Sequence, residues 1–431
     1  ALKKEENRPE VYHNLADSYL YIPDLEKAEK FILKSIELRG GLNSKEILKY
    51  KDTLNIYTDI LLSKGDLDKF RSICLNILDT GIYFGDIFRK LLRNKKDLIK
   101  ESHVSSLKEI LNQIDNYGNL LKHKLTKAGI YSCLAEYYNK ENQKISEEYY
   151  EKSNKLISSV QRDSLFDRQK KIINIKKIFK ESIAQYNQNN SNDLGEGIIF
   201  IIGMPRSGTT LVESILATAE NCVAGGEKVF YHVQCSPIIN QYQNSKIDYD
   251  MITELGKNYL EIINIQRQGK RNYIDKMPDN FLYYNFIKLS LPKAKFVHIH
   301  RNPWDNAISL FKQNFANELF YASSFFGIAL EYANYEHLMD IWKKLNNNDI
   351  FDVSYEELIS NTEKVVQELW EFCDLAGKYD QDKRKRHFAQ TASKHQVTKD
   401  IYNTSLDKKE FISYKDTFYK DLNLQREFWL K

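Results

Sequence analysis

Long hydrophobic runs, paired cysteines and a strong net charge are all missing from this sequence. No apolar stretch approaches the ~20 residues that a membrane-spanning helix requires, and no apolar signal region opens the chain. The five cysteines form no C-x-x-C pair, which predicts free thiols in a reducing compartment. The net charge of +4 is too small to indicate a nucleic-acid partner, although a mildly basic balance suits an anionic cofactor. We therefore expect a cytoplasmic protein with no membrane span, no nucleic-acid partner and no metal site.

The chain of 431 residues is longer than a typical domain with a single hydrophobic core, which predicts two domains. Residues 9–42 resemble a tetratricopeptide repeat, a helical hairpin of ~34 residues. Its aromatic, leucine and small residues stand at the repeat's spacings: Tyr12, Leu15, Ala16, Tyr19, Ala28, Ile32 and Ser35. Looser copies cover residues 54–70 and 131–153, although generic helical packing would give a similar periodicity. The polar residues 188–197 read as a linker and predict domains over 1–187 and 195–431.

After the linker, short apolar runs alternate with helical patterns, which indicates a parallel α/β sheet. The runs that we predict as strands are residues 198–202, 273–274, 296–299 and 350–353. The first run is wholly apolar and rich in β-branched residues, as in a strand that is buried on both faces. We predict that helices begin near Pro278, Pro303 and Tyr355.

The segment Gly203–Gly208, which we call the phosphate loop, joins the first strand to a helix. Its backbone amides and the following helix N-terminus suit an anion. Its glycine spacing matches the nucleotide-binding pattern G-x-x-x-x-G-K-[ST], but Thr209 stands where that pattern has lysine. The cation is instead Arg206, inside the loop. A plain strand–turn–helix joint is the alternative interpretation.

A second candidate site follows the predicted strand 296–299. Arg301 ends that strand, Asn302 and Pro303 suit the start of a helix, and Ser309 lies two turns further on. Because ligands of open α/β sheets bind at the carboxyl ends of strands, we expect Arg301 at the same edge as Arg206. An ion pair between Arg301 and an acidic neighbour is the alternative.

His298 and His300 alternate on that strand and therefore share one face. Such a pair suits metal ligation or base catalysis, but no third ligand is evident in the sequence. We interpret them as histidines of the core.

Together these motifs resemble the sulfotransferases that use 3′-phosphoadenosine 5′-phosphosulfate (PAPS). The loop PRSGTT resembles their 5′-phosphosulfate loop. The resemblance covers roughly residues 195–410 and is strongest to bacterial sulfotransferases with tetratricopeptide repeats, and more distant to tyrosylprotein sulfotransferases. It implies an α/β P-loop sulfotransferase domain, a parallel sheet flanked by helices, preceded by an all-α helical repeat domain. It also implies a bacterial enzyme that transfers sulfonate from PAPS and releases adenosine 3′,5′-bisphosphate.

The resemblance assigns roles to particular side chains. Glu227, in AGGE, matches the family's catalytic base, with His232 as the alternative base and a solvated loop carboxylate as the plain interpretation. Arg206 and Lys276, in DKMPDNF, match cations that contact the transferring sulfonate, and Ser393, in TAS, matches a residue near the bridging oxygen. The residues that match cofactor-binding positions are Pro205, Arg206, Ser207, Gly208, Thr209, Thr210, Arg301, Ser309, Tyr355 and Lys399.

The resemblance does not reach the acceptor, which we expect to be a peptide tyrosine, a glycan or a small alcohol. Two other functions stay open: a P-loop kinase acting on a small molecule, and a repeat scaffold whose α/β domain binds a nucleotide without catalysis. The missing loop lysine disfavours the kinase, because kinases with this loop place that lysine on the terminal phosphates. The helical repeats are expected to recruit a protein partner or a second copy of the chain.

Overall fold

The computed structural model describes most of the chain. The described residues are 7–21, 24–115, 120–139, 141–160, 165–186, 194–242, 249–267, 269–313, 315, 319–345, 347–385 and 409–430. Internal contacts divide the chain into two units, Ala1–Val160 and Gln161–Lys431. The predicted division at the linker 188–197 lies further along the chain, so the domain boundary stays a prediction. No helix within the described ranges combines the length and the apolar character needed to cross a bilayer.

The first unit is helical throughout its described residues. Its helices are α1 (Pro9–Tyr21), α2 (Leu25–Leu38), α3 (Lys51–Lys64), α4 (Leu67–Leu78), α5 (Gly85–Asn94), α6 (Glu101–Asp115), α7 (Leu121–Tyr138) and α8 (Gln143–Ser158), with short 3₁₀ turns at Lys45–Lys49 and Lys96–Leu98. The pairs α1–α2 and α7–α8 pack closely. In the first pair Ala16 and Ala28 are both fully buried, since small side chains let two helices approach. The predicted all-helical region is confirmed, and its assignment to tetratricopeptide repeats stays a prediction.

The second unit is built around a five-stranded sheet. Its strands are β1 (Ile198–Gly203), β2 (Cys222–Ala224), β3 (Asn272–Lys276), β4 (Lys295–His300) and β5 (Ile350–Ser354). They pair in the order β2-β3-β1-β4-β5, and every pairing is parallel. The predicted parallel α/β sheet is therefore confirmed.

Helices complete the second unit. They are α9 (Leu165–Tyr186), α10 (Thr209–Leu216), α11 (Phe230–Asn240), α12 (Tyr249–Arg267), α13 (Tyr284–Ser290), α14 (Pro303–Phe311), α15 (Phe325–Leu345), α16 (Tyr355–Ser360), α17 (Thr362–Cys373), α18 (Gln381–Lys385) and α19 (Lys415–Leu430). Short 3₁₀ helices cover Pro278–Tyr283, Phe320–Ser323, Asn347–Asp349 and Ile412–Tyr414. Helices thus begin at Pro278, Pro303 and Tyr355, as predicted.

The central strands bury both faces, which is why β1 lacks polar residues. On one face, Ile199 and Ile201 join an apolar core with residues of α10 and α17. On the other face, Phe200 stacks on Phe296 of β4 with ring centroids 5.3 Å apart. Side chains that alternate along a strand therefore fill two separate layers. This packing fixes the carboxyl ends of β1, β3 and β4 along one edge, where the predicted site residues lie.

Candidate functional site

The phosphate loop leaves β1 in a conformation that few side chains tolerate. Gly203 has φ +152°, and a Cβ there would lie 2.3 Å from the carbonyl oxygen of Ile299 on β4. Gly208 has φ +115°, and a Cβ there would lie 2.6 Å from the Tyr355 ring. Both distances are shorter than a Cβ atom can approach another heavy atom, so both positions require glycine. The chain can then turn tightly from β1, alongside β4, into α10, which begins at Thr209.

Arg206 occupies the left-handed region of the backbone, with φ +69°. For a residue with a long side chain this conformation is strained, and such strain concentrates at functional sites. The Arg206 Nε atom donates a hydrogen bond to Ser309 Oγ on α14, 3.2 Å away. Ser207 Oγ, in a residue that is 1% exposed, has no hydrogen-bond partner among the described residues. A loop anion would provide the acceptor that this buried hydroxyl needs.

Arg301 lies beside the loop because β1 and β4 are neighbouring strands. Its Nη1 atom lies 3.5 Å from the carbonyl oxygen of Arg206, and its guanidinium lies 4.3 Å from the centroid of the Tyr355 ring. Stacking on an aromatic ring orients a guanidinium while leaving its edge N–H groups available. The strand pairing thus brings together the two arginines that the sequence placed 95 residues apart.

The helix after Arg301 begins as its sequence predicts. Asn302 Oδ1 accepts hydrogen bonds from the amides of Trp304 (3.0 Å) and Asp305 (3.2 Å), and Pro303 takes the first helical position. Asn306, one turn later, donates from Nδ2 to the carbonyl oxygen of Pro205 at 3.1 Å. This side chain therefore ties α14 to the phosphate loop, a role for which the sequence offered no motif.

Lys276 and Glu227 form an ion pair on the other side of β1. Lys276 ends β3 and is fully buried, whereas the Glu227 side chain is 39% exposed. Lys276 Nζ donates a short hydrogen bond to Glu227 Oε1. A buried ammonium requires a charged partner, and here the partner is also the carboxylate that solvent or a ligand can reach. The predicted base and the predicted sulfonate-binding cation are therefore in direct contact.

Two buried carboxyl groups neighbour this pair. Burial raises the pKa of Asp275, the residue before Lys276, to about 7. Glu213 of α10 is 1% exposed, and its Oε1 accepts the amide N–H of Gly226 at 3.1 Å. Neither carboxyl group is among the site residues predicted from the sequence, although a carboxylate on the apolar side of a short helix is a signal that points to Glu213.

Residues 198–380 match the model of the Sulfotransferase family. This part of the chain is similar in sequence to that family. An uncharacterised protein of Aquifex aeolicus (strain VF5) is 33% identical over 228 residues, which make up 49% of this chain and 30% of that protein. The chain therefore spans less than a third of the length of this curated relative.

Two solved structures are similar to the chain at low identity. One is the sulfotransferase domain of the Synechococcus PCC 7002 olefin synthase, with 14% identity, a TM-score of 0.35 and coverage of 57% of this chain and 98% of that one. The other is a sulfotransferase of Alicyclobacillus acidocaldarius, with 14% identity, a TM-score of 0.30 and coverage of 54% and 98%. The similarity to the Sulfotransferase family is therefore one of sequence.

The remaining predicted site residues of the second unit fall into three groups. Thr209 and Thr210 are both 4% exposed in the first turn of α10, behind the phosphate loop. The alternative base His232 is engaged elsewhere, through Nδ1 and the Tyr283 hydroxyl at 2.9 Å, and burial lowers its pKa. Ser393 and Lys399 lie outside the described residues. The roles of all these side chains stay predictions.

Of the two histidines of β4, His298 belongs to the core, as predicted, whereas His300 at the strand end is partly exposed. His298 is 2% exposed and is held by the Asp352 carboxylate at Nδ1 and by the Tyr335 hydroxyl at Nε2. Burial lowers the pKa of His298 to about 4. Within the described ranges, no group of three or more His, Cys, Asp and Glu side chains could hold a metal ion.

Proposed function

We propose that this protein transfers a sulfonate group from PAPS to an acceptor hydroxyl. The observation that carries the proposal is the grouping of Arg206, Arg301 and the Lys276–Glu227 pair at one sheet edge, around a loop that lacks the kinase lysine. The strained loop, its buried Ser207 hydroxyl and the two positions that exclude a Cβ fit a bound phosphosulfate. PAPS supplies an activated sulfonate on a phosphate leaving group.

The chain's own residues would each perform one task. The loop amides and Arg206 bind the 5′-phosphosulfate, and Arg301 with Ser309 binds the 3′-phosphate, where a planar guanidinium can make two parallel hydrogen bonds. Lys276 stabilises the negative charge that develops on the sulfonate and phosphate oxygens. Glu227 accepts the proton of the acceptor hydroxyl while the acceptor oxygen forms its bond to sulfur. The bond from sulfur to the phosphate oxygen breaks, and the bisphosphate leaves with the electron pair.

The Lys276–Glu227 contact suits this exchange of charges. With no ligand, each group neutralises the other, so a buried ammonium is never left alone. When the sulfonate oxygens contact Lys276, the ammonium gains a second anionic partner. Glu227 can then accept the proton of the acceptor hydroxyl. The exposed 39% of the Glu227 side chain is the part that an acceptor can reach.

We also propose that the acceptor is a peptide tyrosine, a glycan or a small alcohol, and that the cytoplasm is the site of action. The helical unit Ala1–Val160 would then bind an acceptor peptide, a partner protein or a second copy of the chain. Within its described residues that unit carries no glycine loop with paired cations at strand ends.

The deciding experiment is transfer of radioactive sulfonate from labelled PAPS to a panel of peptides, glycans and alcohols. Glu227→Gln should slow transfer roughly 10²- to 10⁴-fold, the usual contribution of a general base, while leaving bisphosphate affinity unchanged. Glu220→Gln, at an exposed carboxylate seven residues away, is the matched control and should behave as wild type. Wild-type turnover by Glu227→Gln would move the base elsewhere, with His232 next to be tested. Tighter binding of ATP–Mg²⁺ than of the bisphosphate would favour the kinase.

A further inference from the structure

Glu213 is a buried carboxylate that the proposed reaction does not use. It lies in the second turn of α10, the helix that begins directly after the phosphate loop, and it is 1% exposed. Its neighbours Val212 and Ile215 belong to the apolar core under the sheet. A buried carboxylate is costly unless it receives hydrogen bonds, so its position calls for a structural or functional reason.

The partner of Glu213 is the backbone just before the proposed base. Glu213 Oε1 accepts the N–H of Gly226 at 3.1 Å, and Gly226 is followed directly by Glu227. On the other side of the same residue, the Gly226 carbonyl accepts the amide N–H of Lys276 at 3.0 Å. Gly226 is therefore held between α10 and the end of β3.

These bonds extend the pairing of β2 with β3 beyond the end of β2. The registered pairs run from Cys222↔Asn272 to Ala224↔Ile274, and the Gly225 amide then donates to the Ile274 carbonyl at 2.7 Å. The bond between Lys276 and Gly226 continues this series. Extended pairing delivers Glu227 to the side of Lys276, where the two side chains form their ion pair.

We propose that Glu213 is a positioning residue: from α10, the helix after the phosphate loop, it holds Gly226 and thereby positions Glu227. One rigid element, α10, would then fix both the loop that binds the donor and the turn that carries the base. The inference rests on the proposed function, in which Glu227 is the base. It adds a residue that touches neither donor nor acceptor.

Ionisable side chains interact electrostatically with Glu213, among them Lys228 and Asp275. Lys228 lies two residues after Gly226 and also interacts with Asp275. A charged acceptor makes a stronger hydrogen bond to an amide than a neutral one. Glutamine at this position can still accept the Gly226 N–H, whereas leucine fills similar volume and cannot accept it.

The first test measures the Gly226 amide and needs no turnover. The full chain is labelled with ¹⁵N-glycine, and Gly226→Asn, which tolerates the φ of +69°, identifies the Gly226 signal among 17 glycines. Slow hydrogen exchange of this amide is expected in wild type and in Glu213→Gln. Exchange should be roughly 10- to 100-fold faster in Glu213→Leu. Ser214→Ala is the matched control, because Ser214 is fully buried in the same helix and bonds only the Leu211 carbonyl at 2.7 Å among the described contacts.

The second test separates positioning from stability. Glu213→Leu should lower kcat for sulfonate transfer roughly 10- to 100-fold while bisphosphate affinity stays within about 3-fold. Glu213→Gln should restore most of kcat, and Ser214→Ala should leave it unchanged. If Glu213→Leu does not fold, fast exchange of the Gly226 amide in wild type or in Glu213→Gln would still overturn the proposal.

The two proposals fail in different ways. A Gly226 amide that exchanges quickly in wild type, or equally slowly in Glu213→Leu, overturns the role of Glu213 whether or not transfer is observed. Slow turnover by Glu227→Gln together with wild-type turnover by Glu213→Leu also overturns it while leaving the base in place. Normal turnover by Glu227→Gln, with Gly226 protected by Glu213, overturns the proposed base alone.

Discussion

Replacing the buried Asp275 by asparagine should make the second unit, Gln161–Lys431, more stable at alkaline pH. Asp275 is fully buried in β3, where Tyr259 donates a hydrogen bond to Oδ2 at 2.7 Å and Asn280 lies 3.4 Å from Oδ1. Burial raises its pKa from 3.8 to about 7. Asparagine keeps an oxygen that can accept the Tyr259 hydroxyl and carries no charge, so Asp275→Asn removes the titration with little change in shape.

The sign follows from the two pKa values. The unfolded chain releases the Asp275 proton near pH 3.8 and the folded chain near pH 7, so the folded state binds more protons between these values. The stability that Asp275 contributes is therefore fully present below pH 3.8 and is progressively lost as the pH rises to 7. The gap between the two pKa values corresponds to about 4 kcal/mol, which is the largest gain expected for Asp275→Asn at pH 8 relative to pH 4.

Tryptophan fluorescence during urea unfolding measures this effect selectively. All four tryptophans, at positions 304, 342, 370 and 429, lie in the unit Gln161–Lys431. We expect the difference in unfolding free energy between Asp275→Asn and wild type to grow steadily from pH 4 to pH 8. Asp250→Asn, at an exposed position of α12, is the control and should show no such trend. A difference that is the same at every pH would refute the reasoning.

Three further predictions concern other parts of the second unit. His298→Gln should remove the contribution of His298 to the pH dependence of stability, which destabilises wild type as the pH falls from 6.5 to about 4 because the folded state resists protonation of this histidine. The difference in unfolding free energy between His298→Gln and wild type, followed by fluorescence over this pH range, checks this. Arg301→Lys should weaken bisphosphate binding roughly 10- to 100-fold by calorimetry, since an ammonium cannot replace a two-point contact. A truncated chain that begins at residue 161 should have a higher melting temperature than one that begins at residue 187, because the shorter chain lacks α9 and its buried Phe179. The chain from residue 161 should bind the bisphosphate as the full chain does, but should differ from the full chain in acceptor kinetics or in mass in solution.

Local patterns sufficed for the elements that frame the site. The apolar run of β1, the paired glycines of the phosphate loop and the Asn302–Pro303 helix start each depend on residues close in sequence. Their geometry follows from steric limits on one or two residues and from the burial of one strand. The sequence therefore predicted β1, β4 and the helix starts at Pro278, Pro303 and Tyr355, and the structure confirms them.

Tertiary structure alone decided which of these elements meet. The pairing of β1 with β4 brings Arg301 to Arg206, and the pairing of β2 with β3 brings Lys276 to Glu227 across 49 residues of sequence. No sequence pattern indicated that α9 belongs to the second unit or that Glu213 accepts the Gly226 amide. Strand order and buried hydrogen bonds depend on surfaces that many distant residues form together, and no local pattern encodes them. Residue types at the ends of strands established what chemistry was available, and the order of the strands determined which of those side chains could act on one ligand.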